Sequence, residues 1–395
     1  MCEQVVNKKI HPCCCKRNSG MSTIPSDYVQ QINILIEQKL WLQLSHALKE
    51  LFASASAQGA LPHVYASVIK KYANKLDGAI YLQLCIQLGS LVVLEEAVEV
   101  CKGRGEAALG VWAKAAMVPH LLRADKLSEA EVIVAECKAF FEGAEGVKMP
   151  VAGQVALYQA AIDVAKVKGD FDEYCTQALF YFNTLLEAAD SHKCHHSKTQ
   201  VSSHCSNKED ISLQLNDYCL ASLLSPSIYH FGDLLNVLSK FGSRCMIDAG
   251  LALLVQSFNA GEIKKYAKEL LPVIKANPGL APHEPFLKEK LSLMALAELL
   301  FLSCQGTRIV QFPVICEYCL VPAGLVEELL IKAMAVGLVE GKIDGLGELY
   351  YVERVQPRVL NQAQAVELLQ AIKNWRVSVK QTLENVQPFL QTVSQ

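Results

Sequence analysis

The feature that most constrains this chain is a long succession of amphipathic helices joined by short turns. Apolar residues recur at helical spacing from Ser26 to Leu302, beginning with Val29, Ile32 and Ile36. Turns as short as Lys168-Gly169-Asp170 require neighbouring helices to run antiparallel. The helical hairpins follow one another at a spacing of about 40 residues without a consensus repeat. The sequence therefore predicts an all-α dominated chain that forms an irregular α-solenoid of helical hairpins.

Breaks in this pattern divide the chain into segments. Residues 1–22 are rich in lysine and cysteine, and residues 190–212 are polar and rich in histidine and cysteine. Both lack the apolar residues that a core needs, so we expect a disordered tail and a flexible insertion. The predicted segments are 1–22, an extension; 23–189, the N-terminal solenoid; 190–212, the insertion; 213–307, further helices; 308–360, a compact module; and 361–395, a C-terminal helix.

The compact module has the element order of a winged helix, in which a helix-turn-helix is followed by a β-hairpin. Its predicted elements are a β-prone run at 309–312, helices at 314–320 and 323–336, and strands at 338–343 and 350–355 around the turn at 344–347. Pro322 separates the two helices, and Gly337 ends the second. We expect the hairpin to expose Tyr350, Tyr351 and Val352.

The charge of this module argues against DNA as its partner. Between Arg308 and Leu360 there are five basic and seven acidic residues, and Glu327 and Glu328 open the helix that would enter a major groove. Phosphate neutralisation supplies most non-specific affinity for DNA, so this surface would repel a duplex. The whole chain, with a formal net charge of −3, likewise has no bulk attraction to nucleic acid or an anionic membrane.

Cysteine use and hydropathy indicate an intracellular protein with no membrane partner. Most of the 15 cysteines are spread singly through helical stretches, as reduced, buried thiols are. The longest apolar runs are too short to span a bilayer, and residues 1–20 lack the apolar core of a signal peptide.

The insertion contains the most suggestive chemistry. Imidazole and thiolate are good zinc ligands, and Cys194, His195, His204 and Cys205 could supply four. Their spacing matches no standard zinc finger, so a solvated insertion is the ordinary interpretation and a metal site is the alternative. Cys316 and Cys319 have the spacing of a CxxC motif without a second pair, which favours helix packing. We find no nucleotide-binding or catalytic motif, and we predict no enzyme activity and no cofactor.

The last predicted helix, from Gln362 to about Leu390, has an apolar stripe of heptad spacing. The stripe is interrupted once, at Arg376, beside Trp375. At 1.5 Å per residue the helix is roughly 40 Å long, and it follows a complete module. We therefore predict packing against other subunits rather than against the chain's own body. The predicted interface residues are Leu369, Ile372, Trp375, Val379, Leu383, Val386 and Leu390.

Several blocks of sequence resemble a known family. A helical solenoid that ends in an acidic winged helix and a terminal helix is the arrangement of PCI-domain proteins. The blocks YHFGDLL (229–235), FNAG (258–261), KAMAVGLVEGKID (332–344) and VQPRVL (355–360) resemble the proteasome non-ATPase regulatory subunit 13 family, as do KLWLQL (39–44) and Trp375. The likeness is dense over 227–385 and thinner over 24–190, and it does not extend to residues 1–22 or 190–212.

The resemblance implies a non-catalytic scaffold subunit of the proteasome regulatory-particle lid, present in the cytoplasm and nucleus. The winged helix would contact other PCI-type lid subunits through edge strands, and the last helix would join a bundle of lid-subunit helices. The regulatory particle and the proteasome core would then be its wider partners. The alternative is a scaffold subunit of another PCI complex, either the COP9 signalosome or a translation initiation factor complex.

Overall fold

The computed structural model describes residues 26–53, 58–143, 149–194, 208–242, 246–304, 308–356 and 362–393. The predicted fold class, a helical solenoid followed by a winged helix and a long last helix, is confirmed. The predicted extension at 1–22 lies outside the described residues. The chain forms two compact units. The first takes its described residues from 26–228, 236–252 and 273–284, and the second from 229–235, 253–272 and 285–393.

Helices of ten to twenty-four residues make up most of the first unit, with shorter elements after the second helix. The helices that lie wholly within it are α1 Ser26–Glu37, α2 Trp41–Ala53, α3 Leu61–Val64, α4 Gly78–Leu88, α5 Leu91–Gly103, α6 Ala107–Arg123, α7 Leu127–Gly143, α8 Val151–Lys168, α9 Phe171–Cys194 and α10 Lys208–Leu224. A 3₁₀ turn, Gln58–Ala60, precedes α3, and a π-helical turn, Tyr65–Ile69, follows it.

Successive helices of this unit pack as hairpins around an apolar core. Helix α6 packs on α5, α7 and α8, and α9 packs on α8 and α10. Trp112 of α6 is fully buried, and α8 approaches it closely because Gly153 has no side chain: a Cβ there would lie 3.3 Å from the Trp112 Cβ. Gly169 ends α8 in the left-handed conformation, which lets the chain reverse into α9.

The predicted insertion is shorter than its sequence pattern indicated. Helix α9 continues from the predicted end at Ala189 to Cys194, and α10 begins at Lys208. Residues 190–194 are polar but contain neither glycine nor proline, so the helix propagates beyond its last apolar residue. The remainder of the insertion, 195–207, lies outside the described residues.

Four helices follow, each of which carries residues at or across a boundary between the units. They are α11 Gly232–Phe241, α12 Ala249–Ala260, α13 Leu271–Ala276 and α14 Glu284–Ser303. A 3₁₀ turn, Ile263–Lys265, and a π-helical turn, Tyr266–Leu270, join α12 to α13. Another 3₁₀ turn, Ala281–His283, precedes α14.

Lys290 of α14 is a buried cation inside the second unit. Its side chain is 1% exposed, and its Nζ atom lies 5.3, 5.5 and 5.9 Å from the ring centroids of Tyr229, Phe231 and Phe286. Aromatic faces attract a cation most strongly where water is excluded. The block YHFGDLL therefore contributes two of the three rings around a buried lysine, which gives that block a structural role.

The rest of the second unit is the winged helix and the last helix. Its elements are β1 Ile309–Gln311, α15 Phe312–Cys319, the 3₁₀ turn Ala323–Leu325, α16 Val326–Ala335, β2 Val339–Asp344, β3 Leu349–Val355 and α17 Gln362–Val393. The three strands form an antiparallel sheet in the order β1-β3-β2. No helix among the described residues has the length and apolarity needed to span a membrane.

Helix α8 carries a carboxyl group with a perturbed pKa at its contact with α10. The Gln214 side-chain amide donates to Gln159 Oε1 at 2.6 Å, and the Gln159 amide donates to Asp163 Oδ1 at 3.0 Å. Burial raises the pKa of Asp163 from 3.8 to about 6, against a smaller lowering by the Gln159 hydrogen bond. Folding thus makes the neutral form of Asp163 more favourable than it is in the unfolded chain.

This pKa shift predicts a pH dependence of stability. Between pH 4 and pH 6 the unfolded chain loses the Asp163 proton while the folded chain keeps it, so the contribution of this group to stability falls as pH rises through that window. Asp163→Asn should remove the loss and raise the free energy of unfolding at pH 7 by about 1–3 kcal/mol. Urea titrations at pH 4 and pH 7 measure it; a variant that is less stable than the wild type at pH 7 would contradict the assignment.

Gly261, in the block FNAG, predicts a second effect. Its φ is +66°, and a Cβ would lie 2.9 Å from the Met294 carbonyl oxygen and 3.0 Å from the Ala295 Cα, both in α14. Gly337 has a φ of +79° with no atom within 4 Å of the place that a Cβ would take, so it is a matched control in the same unit. Gly337→Ala should cost about 1 kcal/mol through its backbone conformation alone. Gly261→Ala should cost about 2–4 kcal/mol because the α14 backbone must also move.

Thermal unfolding of the two glycine variants gives the comparison directly. The expected order of melting temperature is wild type, then Gly337→Ala, then Gly261→Ala. Equal melting temperatures for the two variants would show that the close approach of Gly261 to α14 does not contribute to the free energy of unfolding.

Candidate protein-docking site

The apolar stripe of α17 is exposed to solvent along its described length. Every described side chain between residues 365 and 386 is exposed, including the stripe residues Leu369, Ile372, Val379, Leu383 and Val386. Trp375, beside the stripe, is 70% exposed. Leu390 also belongs to α17, but its side chain lies outside the described residues.

Helix geometry explains why these residues share one face. Spacings of three and four residues return to the same side of a helix that has 3.6 residues per turn. The stripe with Trp375 covers about a third of the circumference, wider than the seam of a two-stranded coiled coil. Each leucine or valine that a partner buried there would contribute roughly 1.5–3 kcal/mol before the costs of association. In the isolated chain these side chains remain exposed to water, so this stabilisation is absent.

The winged helix does not expose the hairpin residues that its sequence indicated. Tyr350 and Val352 are buried, at 0% and 4% exposure, and Tyr351 is half-exposed. Alternate residues of a strand point to opposite faces, so Tyr350 and Val352 face the helices while Tyr351 faces outward. The expectation that the hairpin exposes all three side chains is therefore wrong for Tyr350 and Val352, and an interface role for these residues stays a prediction.

The order of the strands determines which of them form the edges of the sheet. Strand β3, which carries these three residues, pairs with β1 on one side and β2 on the other, so it is the central strand. The six-residue β2 and the three-residue β1 form the edges. A bulge interrupts the β2–β3 register between Glu340 and Gly341. Gly341 is needed there, because a Cβ would lie 2.3 Å from the Tyr351 carbonyl oxygen.

The outward face of the sheet carries an apolar pair that sequence reasoning missed in part. Ile309 of β1 lies opposite Tyr351 of β3, and both side chains are exposed. Leu346, at the tip of the hairpin turn, is fully exposed. Strict alternation along β1 and β3 could have identified Ile309, because its neighbour Val310 is a core residue. We call Ile309, Tyr351 and Leu346 the wing patch.

Ion pairs occupy three basic side chains of the module, those of Lys332, Lys342 and Arg354. Lys332 of α16 pairs with Glu289 at 2.7 Å and Glu328 at 2.9 Å, and these hydrogen bonds raise the pKa of Lys332 above its usual range. On the sheet, Lys342 pairs with Glu353 and Arg354 pairs with Glu340. Helix α16 exposes Ile331 beside Lys332. This surface has apolar side chains and neutralised cations where a DNA-binding helix would need free positive charge.

The metal site stays a prediction, because only one of its four candidate ligands is among the described residues. Cys194 is the last residue of α9, and His195, His204 and Cys205 lie outside the described residues. Among the described residues, no group of three or more histidine, cysteine or acidic side chains could hold a metal ion. Burial raises the pKa of the Cys319 thiol to about 12, which fits a packing role for the Cys316–Cys319 pair in α15.

Comparison with known proteins identifies the family of this chain. The family model "PSD13 N-terminal repeats" matches residues 28–239. The chain is 24% identical over 375 residues to 26S proteasome regulatory subunit RPN9 of Saccharomyces cerevisiae, covering 89% of this chain and 90% of that protein. It is 24% identical over 376 residues to 26S proteasome non-ATPase regulatory subunit 13 of Dictyostelium discoideum, covering 92% and 93%.

A second class of relative matches over a shorter range. Eukaryotic translation initiation factor 3 subunit M of Aspergillus clavatus is 28% identical over 231 residues, which covers 58% of this chain and 45% of that protein. The proteasome subunits thus match nearly end to end, and the initiation-factor subunit matches in part. The family model covers more than half of the chain, and the chain belongs to the PSD13 family, that of 26S proteasome non-ATPase regulatory subunit 13.

Proposed function

We propose that this chain is a non-catalytic structural subunit of the lid of the proteasome regulatory particle, where it supports assembly and the ATP-dependent degradation of ubiquitinated proteins. The observation that carries the proposal is the exposed apolar stripe of α17, on a chain whose relatives are proteasome regulatory subunits. Such a stripe is stabilised only when another surface covers it. The proteasome functions in the cytoplasm and nucleus, and these are the compartments we assign to the chain.

Helix α17 supplies the main attachment in this proposal. It has 32 residues, about 48 Å at 1.5 Å per residue, so it can reach beyond its own module. Its wide stripe suits a bundle with more than one neighbouring helix better than a two-stranded contact. Leu369, Ile372, Trp375, Val379, Leu383, Val386 and Leu390 form the contact with the helices of other lid subunits.

The winged helix supplies the second attachment. Its wing patch and the β2 edge face neighbouring PCI-type subunits, and an edge strand can pair with a strand of another chain. The charges of Glu340 and Lys342, together with the bulge at Gly341, restrict such pairing to a partner of matching shape and charge. Specific rather than promiscuous docking is what a subunit with one place in an assembly requires.

Coverage favours the proteasome over another PCI complex. The proteasome relatives match along about nine-tenths of their length, whereas the initiation-factor subunit matches along 45% of its length. A scaffold role in the initiation factor or the COP9 signalosome is the second candidate. Co-purification of proteasome ATPase subunits with a tagged chain distinguishes the proteasome from both.

Truncation after Leu360 tests the role of α17. The truncated chain should be absent from purified proteasomes, because the stripe is lost. Its helical content should fall only by the share of α17, and its melting temperature should stay close to that of the full chain. Quantitative mass spectrometry of the particle and circular dichroism of the isolated chain are the two measurements. A truncated chain that is present in the particle at the wild-type level would exclude α17 as the main attachment.

Substitutions at Tyr351 and Tyr350 test whether the wing patch contacts another subunit. Tyr351→Ala removes a half-exposed side chain, so it should lower incorporation into the lid severalfold, while the lost cross-strand contact with Ile309 should cost the isolated chain only about 1 kcal/mol. Tyr350→Phe removes a buried hydroxyl that has no hydrogen-bond partner among the described residues, so incorporation and stability should both be retained. Competition between tagged and untagged chains for places in the lid measures incorporation. Equal incorporation of Tyr351→Ala and wild type would remove the wing patch from the interface.

A further inference from the structure

Arg376 lies in the middle of the α17 stripe, one helical turn from Ile372 on one side and from Val379 on the other. Its side chain is exposed, as are those of its apolar neighbours. A partner that covers the stripe must therefore also cover a guanidinium group, which stays charged under all ordinary conditions. The stripe thus determines the chemistry of its partner as well as its shape.

The helix does not neutralise this charge itself. Lys373 and Lys380 lie three residues before and four residues after Arg376, so the three cations share one flank of the stripe. Within the described part of α17, the ion pair joins Lys380 to Glu384 at 3.8 Å and leaves Arg376 out. The helix presents a positive flank along one edge of an apolar stripe, with Trp375 at the opposite edge.

Burial of an uncompensated charge is strongly unfavourable, whereas burial beside a carboxylate with good hydrogen bonds is tolerated. A guanidinium and a carboxylate can form two parallel hydrogen bonds, which also fix the register between two helices. A single polar residue within an apolar seam commonly has this effect on pairing. Arginine and tryptophan are, in addition, among the residues enriched at the energetic centre of interfaces.

We propose that the partner of α17 is an amphipathic helix of another subunit that carries an aspartate or glutamate opposite Arg376 within its own apolar seam. The carboxylate selects this helix over other apolar helices and sets its register along α17. The Lys373 and Lys380 flank faces the acidic side of the same partner, and the Trp375 edge takes an apolar neighbour. This inference rests on the proposed attachment through α17 and adds the charge that the partner must have.

Two substitutions at one position distinguish this partner from a purely apolar one. Arg376→Met keeps an unbranched side chain of similar length and makes the stripe continuous. If the partner seam is wholly apolar, Arg376→Met should improve docking. If it contains a carboxylate, Arg376→Met leaves that carboxylate buried without a partner and should weaken docking. Arg376→Glu places two like charges together and should weaken it further.

The control adds the same change in charge to the other side of the helix. Asn374→Glu combined with Gln381→Glu changes the net charge by −2, as Arg376→Glu does, at positions about half a turn away from the stripe. Both native side chains are exposed. Because Arg376 is also exposed in the isolated chain, all of these variants should retain the wild-type circular dichroism spectrum and melting temperature.

The experiment is a competition in cells that express the wild-type chain and one full-length tagged variant. Proteasomes are purified through a tagged ATPase subunit, and mass spectrometry gives the ratio of variant to wild-type chain in the particle, relative to the ratio in the lysate. We expect the ratio to fall at least tenfold for Arg376→Met and further for Arg376→Glu, and to stay within twofold of the wild type for the control.

Three results would overturn the inference. Arg376→Met at or above the wild-type ratio would show a partner without a facing carboxylate. An equal fall for the control would show a general effect of net charge. A chain truncated after Leu360, measured in parallel, separates this inference from the proposed function. If the truncated chain is excluded while Arg376→Met is incorporated normally, the inference of a facing carboxylate is wrong and the attachment through α17 stands. If the truncated chain is incorporated, the proposed attachment through α17 is wrong as well.

Discussion

Burial of one helix face against the next is the interaction on which the structure depends. Along the first unit, each of α5 to α9 packs on the helices before and after it, and buried residues such as Trp112 fill the space between them. The same requirement makes α17 exceptional. Its apolar face has the spacing of a packed helix, yet its described side chains from 365 to 386 are exposed. The helices of the first unit bury their apolar faces, whereas α17 leaves its apolar face exposed. This difference indicates that α17 binds a partner.

Periodicity, together with proline, glycine and turn signals, predicted most of the architecture, because these patterns act over short stretches of sequence. The solenoid, the order of elements in the winged helix and the length of α17 all follow from them. The end of α9 was missed by five residues because polar residues without glycine or proline continue a helix as readily as they leave one. The stretches 1–25 and 195–207 lie outside the described residues, and the segment boundaries and the metal alternative there stay predictions.

The docking site was harder to predict than the fold, since it depends on pairing between distant residues. The hairpin sequence identifies β2 and β3 but not β1 as the strand on the far side of β3. That pairing makes β3 central, buries Tyr350 and Val352, and sets Ile309 beside Tyr351 on the outer face. The stripe of α17 could be recognised from sequence because it lies within one helix. Arg376 could be recognised in the same way, as the charged residue that interrupts the stripe.

Hydrogen exchange measured on the same chain, alone and within purified proteasomes, tests most directly whether α17 is the attachment. Backbone amides of an exposed helix exchange through frequent local opening, and those of a helix buried in an interface exchange only when the interface opens. We predict rapid exchange across residues 365–386 in the isolated chain and strong protection of the same residues in the particle. Equally rapid exchange in both states would contradict the account, because the stripe would then be uncovered in the assembly as well.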